Sequence, residues 1–290
     1  YLVATGTAAN VLALSTLSLP WQTLFCTRQA HITVDGCNGP EFYTGGAKLT
    51  LVSDADKMTP ADLRQALEGE ENRGVHGPQR GPVSITQVTE FGAVSALDEL
   101  RALCDVAKSY GLPVHLDGAR FANALVALGC TPAEMTWKAG VDVVSFGGTK
   151  NGCMGVEAVI FFDPAKAQAF EYRRKRGAHL FSKHRYLSAQ MLAYLTDDLW
   201  LRNARTANAK AARLAAGLRN AGAHFSHDPQ ANMIFAALPR STHQRLFAAG
   251  AVYHLWDGPL HGPEQELVTA RFVCDWSVTE EQISAFLNLL

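Results

Sequence analysis

The chain has 290 residues, with 26 basic and 27 acidic side chains, a formal net charge of -1, 48% hydrophobic residues and 18% charged ones. A folded chain of this length buries roughly three-quarters of its unfolded surface, so one large or two smaller cores fit, while disorder, collagen and coiled coil do not. One short basic run, Arg173 to Arg176, in a near-neutral chain argues against a nucleic-acid binder, whose affinity comes mostly from clustered positive charge. The expected partner is a small molecule or a second copy of the chain.

The chain opens Tyr-Leu-Val-Ala-Thr-Gly, without methionine or a basic, apolar leader, and is expected to lack its natural beginning. Thr5-Gly6-Thr7 leads a small, apolar helical pattern from Thr7 to Leu19, its hydroxyls suited to the first free backbone amides. Apolar stretches such as Val11 to Leu19 stop short of the roughly 20 residues that span a bilayer. Short β-branched runs follow at Leu24–Thr27, Lys48–Val52, Val83–Val88, Pro113–Leu116, Val141–Phe146 and Ala158–Phe162. Between them lie helical patterns: Thr59-Pro60 opens one with a cap and a first-turn proline, and Ser95 to Tyr110 forms another, ended by Gly111. Alternating strands and helices predict a mostly parallel sheet covered on both faces.

Helix formers dominate from Ala165 to about Ala221, including a long helix at Trp200–Asn220. Short strands and helices then return at His224–Ser226, Met233–Leu238, Thr242–Ala249, Leu267–Cys274 and Thr279–Leu290. The pattern predicts a large α/β domain over residues 1–195 and a smaller C-terminal α+β domain over residues 196–290. Cysteines 26, 37, 104, 130, 153 and 274 form no CxxC pair and read as reduced thiols of a cytoplasmic protein. No metal site is expected, because neither His179 with His184 nor His224 with His227 has a completing ligand at useful spacing.

Two segments carry chemistry: Val114-His115-Leu116-Asp117-Gly118-Ala119-Arg120, and Val143 to Gly152 with Gly147-Gly148-Thr149-Lys150 at its turn. Each is an apolar strand ending in ionisable residues and glycines, and open α/β sheets bind ligands beyond the carboxyl ends of their strands. An Asp and a Lys placed there suit pyridoxal phosphate: the amine forms a Schiff base with the aldehyde, and the carboxylate pairs with the protonated ring nitrogen. Gly6 and Thr7 at a helix start offer the phosphate cradle. A dinucleotide GxGxxG and a GK[ST] P-loop are both absent. Singly these signals are weak, since an Asp after a strand is often a cap and a Lys in a turn is usually solvated. Together, in the order GT, DxxR, TK, they are hard to dismiss.

The stretches TGTAAN (5–10), AHITVD (30–35), PEFYTGGAKL (40–49), HLDGARFANAL (115–125), SFGGTKNG (145–152) and KHRYLSAQ (183–190) resemble the threonine aldolases. The similarity is to the low-specificity or phenylserine branch, within the β-eliminating lyases of fold type I, and covers nearly the whole chain. It implies a fold of that type, with a seven-stranded mostly parallel sheet and pyridoxal phosphate held by Lys150. It further implies Asp117 at the ring nitrogen, Gly6 and Thr7 at the phosphate, His31 stacked on the ring, and Thr149 in the cofactor site. Arg120 and Arg271 would hold the substrate carboxylate, which suits a bidentate guanidinium. The phosphate's basic ligand has no clean match among Ser182, Lys183 and Arg185, and Lys183 is named first.

The implied reaction is retro-aldol cleavage of an L-β-hydroxy-α-amino acid, such as threonine, allo-threonine or phenylserine, to glycine and an aldehyde. Gln87-Val88-Thr89-Glu90 stands where family members often carry a second active-site histidine, which leaves the base open; His31 leads, with Glu90 and Asp35 behind it. The resemblance also implies a homodimer or homotetramer with shared sites, and an N-terminal arm ahead of Tyr1. Other fold-type I chemistry, transamination or β-elimination, is the alternative, and a non-catalytic cofactor-binding sensor ranks below it.

Overall fold

The computed structural model describes residues 1–290. The first half contains β1 (Leu2–Val3), α1 (Gly6–Leu17), β2 (Gln22–Cys26), α2 (His31–Val34), α3 (Gly39–Thr44), β3 (Lys48–Leu51), α4 (Pro60–Gly69), β4 (Gln79–Thr86), α5 (Leu97–Ser109), β5 (Val114–Gly118), α6 (Phe121–Leu128) and β6 (Val143–Gly147). The second half contains β7 (Glu157–Phe161), α7 (Phe170–Arg176), α8 (Arg185–Leu195), α9 (Leu199–Asn220), β8 (His224–Phe225), β9 (Met233–Pro239), α10 (Arg240–Ala248), β10 (His254–Leu255), β11 (Leu267–Val273) and α11 (Glu280–Leu287). No helix is long and apolar enough to cross a membrane.

The seven-stranded sheet has the order β1-β7-β6-β5-β4-β2-β3. Strands β3, β2, β4, β5 and β6 are parallel, whereas β7 runs antiparallel to β6 and β1 antiparallel to β7. The reversal follows from chain length, because residues 148–156 are too few for the crossover of about a dozen residues that a parallel neighbour requires. All five residues of β5 and all five of β6 are buried, as expected of central strands covered on both faces. Val114, Leu116, Val144 and Phe146 join the main core with Leu100, Leu103 and Met191 from flanking helices, while Val143 packs in a separate cluster with α1.

A four-stranded antiparallel sheet, β10-β11-β9-β8, forms the second layer system. Ile234, Ala236 and Leu238 of β9 turn inward with Ala270 and Phe272 of β11 and Leu214 and Leu218 of α9. Met233 and Phe235 alternate to the opposite face and belong to the main core, so one strand glues the two sheets together. Arg271 pairs with Phe235 across the ladder and therefore faces the large sheet.

Candidate active site

Topology brings the chemistry together. Because β1 is antiparallel to a strand that is itself antiparallel to β6, it points the same way as β6. The carboxyl ends of β1, β2, β4, β5 and β6 thus open at one edge, carrying Gly6 and Thr7, His31, Glu90, Asp117 with Arg120, and Lys150 respectively.

Asp117 ends β5 and is buried. Its Oδ2 accepts from Asn10 Nδ2 at 2.7 Å and its Oδ1 from the Ala119 amide at 3.0 Å. Behind it, fully buried His115 lies between Ser84 Oγ at 3.0 Å from Nδ1 and Ser145 Oγ at 2.9 Å from Nε2. Burial pushes the imidazole down to about 4, against the pull of the Asp117 charge, so it is neutral at pH 7.

Lys150 sits in the turn from β6 to β7, and several bonds fix that turn. Glu157 Oε2 accepts from the Gly148 amide at 2.8 Å, and Thr149 Oγ1 accepts from the Val156 amide at 3.1 Å. Asn151 Nδ2 donates to Tyr194 Oη at 2.7 Å and to the Trp200 carbonyl at 2.8 Å, while Asn203 Nδ2 donates to the Asn151 carbonyl at 2.9 Å. A Cβ on Gly147 would lie 2.3 Å from the Ala119 carbonyl oxygen, which explains one of the paired glycines. The Lys150 ammonium is held below the ordinary lysine range by burial and then by Arg120, against Asp117, Glu90 and Glu157. Its side chain is nonetheless solvent-accessible. A lysine in such a place is partly deprotonated nearer neutral pH and more nucleophilic.

Arg120 is 7% exposed, its Nε has no hydrogen-bond partner, and burial followed by the neighbouring Arg271 lowers it to about 10. Neither guanidinium makes a salt bridge; Arg271 Nη2 reaches only Met233 Sδ at 3.5 Å. Two neighbouring guanidiniums, neither engaged in a direct ion pair although Glu90 and Asp117 lie near Arg120, leave donors open to an external carboxylate. Arg120 therefore makes no structural ion pair with Asp117, and Arg271 is half-buried.

His31, the first residue of α2, has Nδ1 3.9 Å from Glu90 Oε1 and 3.7 Å from Asp35 Oδ2. The candidate ligand atoms of these three residues lie within 4.8 Å of one another, a spacing that a divalent cation would also accept. Burial and then Asp117 raise the Glu90 carboxyl, against Lys150, His31 and Arg120. Lys183 is the predicted residue that is not drawn in: it is exposed, and no hydrogen bond or ion pair ties it to the others. Its loop does pass close, since the Ala4 amide donates to His179 Nδ1 at 3.3 Å, just ahead of the cradle. Asn10 and Glu157 are the site residues that sequence reasoning missed.

Pyridoxal phosphate fits these residues. The amides of Gly6 and Thr7 stand at the first positions of α1, where no intrahelical acceptor reaches, and a Cβ on Gly6 would meet no protein atom within 4 Å. Packing does not demand that glycine, and the open space beside it leaves room for an anion. The cradle, the anchored Asp117 carboxylate and the accessible, depressed Lys150 match the phosphate, ring nitrogen and aldehyde of the cofactor.

A family model described as Beta-eliminating lyase matches residues 1–240. The chain belongs to the β-eliminating lyase family. It is 41% identical over 281 residues to the low specificity L-threonine aldolase of Pseudomonas sp. strain NCIMB 10558, covering 96% of this chain and 78% of that one. The threonine aldolase of Leishmania major superposes with a TM-score of 0.91 at 24% identity, over 100% of this chain and 82% of that one. A serine palmitoyltransferase from S. paucimobilis with bound PLP gives a TM-score of 0.69 at 17% identity, over 100% of this chain and 70% of that one. These two similarities carry the fold, which is that of the fold-type I pyridoxal phosphate enzymes. This β-eliminating lyase is a pyridoxal phosphate enzyme.

Proposed function

We propose that the enzyme cleaves L-β-hydroxy-α-amino acids, with threonine, allo-threonine and phenylserine as the expected substrates, to glycine and an aldehyde. The observation that carries this reading is the pair of guanidiniums without a direct ion pair, Arg120 and Arg271, with Arg120 beside Lys150 and Asp117, in a chain similar to L-threonine aldolases.

Lys150 would hold the cofactor through its aldehyde, its depressed amine being the nucleophile for that bond. Gly6 and Thr7 bind the phosphate through their amides, with Lys183 as the basic ligand of first choice, and His31 covers the ring face. Thr149 lies beside the cofactor while its hydroxyl secures the turn. Asp117, held by Asn10 and Ala119, keeps the ring nitrogen protonated. Bound in this way, the cofactor serves as an electron sink for bonds broken at the α carbon. Arg120 and Arg271 bind the α-carboxylate and so fix which substituent of that carbon faces His31, Glu90 and Asp35.

Six free thiols accord with a cytoplasmic enzyme. Self-association accords with the exposure of large apolar side chains, among them Phe42 on α3, Tyr172 on α7, Tyr186 and Leu192 on α8, and Met154 in the turn after β6. A homodimer, or a homotetramer built from it, would cover such side chains.

Incubation with L-threonine and phenylserine tests the reading. Equimolar glycine and acetaldehyde or benzaldehyde are expected; keto-acid formation without glycine would overturn it in favour of transamination or β-elimination.

A further inference from the structure

Glu90 is presented to the site by a segment that the fold over-determines. After β4, the Gln87 side chain accepts from the Ser95 amide at 2.9 Å and donates to the Ser95 carbonyl at 2.8 Å, closing the loop at its base. Thr89 Oγ1 donates to the Asp56 carboxylate, and the Phe91 amide donates to the other oxygen of that carboxylate at 3.3 Å, so both neighbours of Glu90 are tied to one anchor. Phe91 also packs against Phe235 and Trp256 at centroid distances of 5.1 and 5.7 Å, and the Val94 amide donates to Gln230 Oε1 at 2.7 Å, pinning the loop to the second sheet. Such anchoring is not spent on a solvated surface carboxylate. The charged groups facing Glu90 are Asp117 from β5, Arg120 at the start of α6, Lys150 from the turn after β6, and His31 from α2, with Asp35 beyond the imidazole.

We propose that Glu90 is the catalytic base that takes the proton from the substrate's β-hydroxyl, with His31 hydrogen-bonded to the same oxygen. The inference rests on the retro-aldol reading above. The 3.9 Å between His31 Nδ1 and Glu90 Oε1 is too long for a direct hydrogen bond, but a hydroxyl oxygen roughly 2.8 Å from each closes the triangle. The carboxylate accepts the proton, the O–H electron pair becomes the second C–O bond of the aldehyde, and the Cα–Cβ pair stays with the glycine fragment. That fragment takes up one proton before it leaves, so the proton movements cancel and no oxidant or reductant enters. Glu90 must be ionised to act. Since burial and Asp117 raise its pKa, turnover falls as pH drops, starting above the ordinary carboxylate range.

Glu90→Gln in the holoenzyme tests this. Expected is a fall in kcat for phenylserine of about 10²- to 10³-fold, the span of general base catalysis, with KM changed only a few-fold and the visible absorbance of the bound cofactor retained. Hydrogen exchange at the α carbon of glycine in D₂O involves no β-hydroxyl and should persist in the variant. The acid limb of the kcat profile should disappear. If the variant folds poorly, Glu90→Ala assayed with added formate should recover turnover in proportion to formate concentration. Unchanged kcat, a surviving acid limb, parallel loss of glycine exchange, or an absence of formate rescue would each overturn the assignment. So would wild-type activity abolished by EDTA and restored by Mn²⁺, since the three clustered side chains would then be ligands. If the wild type releases no glycine and aldehyde at all, the functional reading itself fails; a failure confined to Glu90 instead leaves wild-type turnover intact.

Discussion

At the scale of single residues, the site divides between groups that meet a ligand and groups that hold those groups. Lys150 is of the first kind, and Lys150→Ala should abolish both the visible absorbance and aldehyde release; a yellow, active variant would remove Lys150 from the reaction. Asp117 is of the first kind and Asn10 of the second. Asp117→Asn should retain cofactor yet lose most of kcat. Asn10→Ala leaves the carboxylate with one donor instead of two, Ala119 alone, and a roughly ten-fold lower kcat is expected, which corresponds to about 1.4 kcal/mol for a lost hydrogen bond to a charge. An unchanged kcat would reduce that contact to packing. Asp117 and Lys150 were legible in the sequence because ionisable residues capping apolar strands are conspicuous. Asn10 was not, because a pattern search of α1 registers only its apolar spacing. What singles it out is its burial, a property of the fold.

At the scale of elements, glycines separate what the fold requires from what the ligand requires. A Cβ on Gly147 meets the Ala119 carbonyl oxygen at 2.3 Å, joining the Lys150 turn to the start of α6, whereas a Cβ on Gly6 meets nothing within 4 Å. Gly147→Ala should therefore lower the melting temperature of the cofactor-free protein. Gly6→Ala should leave that temperature in place and weaken cofactor binding, read by titration of absorbance. Equal thermal losses in both variants would mean that Gly6 serves the fold instead. The parallel strands and α4 were legible for local reasons: continuous apolar runs, and a Thr59 cap whose side chain accepts from the Asp62 amide in the structure. The two-residue strand β10 and the short helices α2 and α3 escaped notice, because they exist through tertiary contacts and carry too few residues for any periodicity.

At the scale of the whole molecule, near-zero net charge conceals an uneven response to acid. His115, His179, His184 and His243 are all held below the ordinary histidine range, burial being the first cause in each. A group whose folded pKa is depressed binds fewer protons folded than unfolded, so the stability it permits is present above the unfolded pKa and is lost as pH falls through the folded one. For fully buried His115, with its folded value at about 4, the window runs from about 6.5 down to about 4, and the linkage is on the order of 3 kcal/mol. The Glu157 and Asp56 carboxyls, raised by burial, oppose this as they take up protons, so total stability alone does not isolate the imidazole. The difference between two proteins does. Urea midpoints of wild type and His115→Gln measured at pH 7 and pH 5 should converge on acidification. The wild-type advantage should shrink because only wild type has a buried imidazole to charge between Ser84 and Ser145. A constant difference across that range would mean that His115 enters the unfolded state at the same protonation it holds in the fold, and the neutral layer behind Asp117 would lose its electrostatic basis.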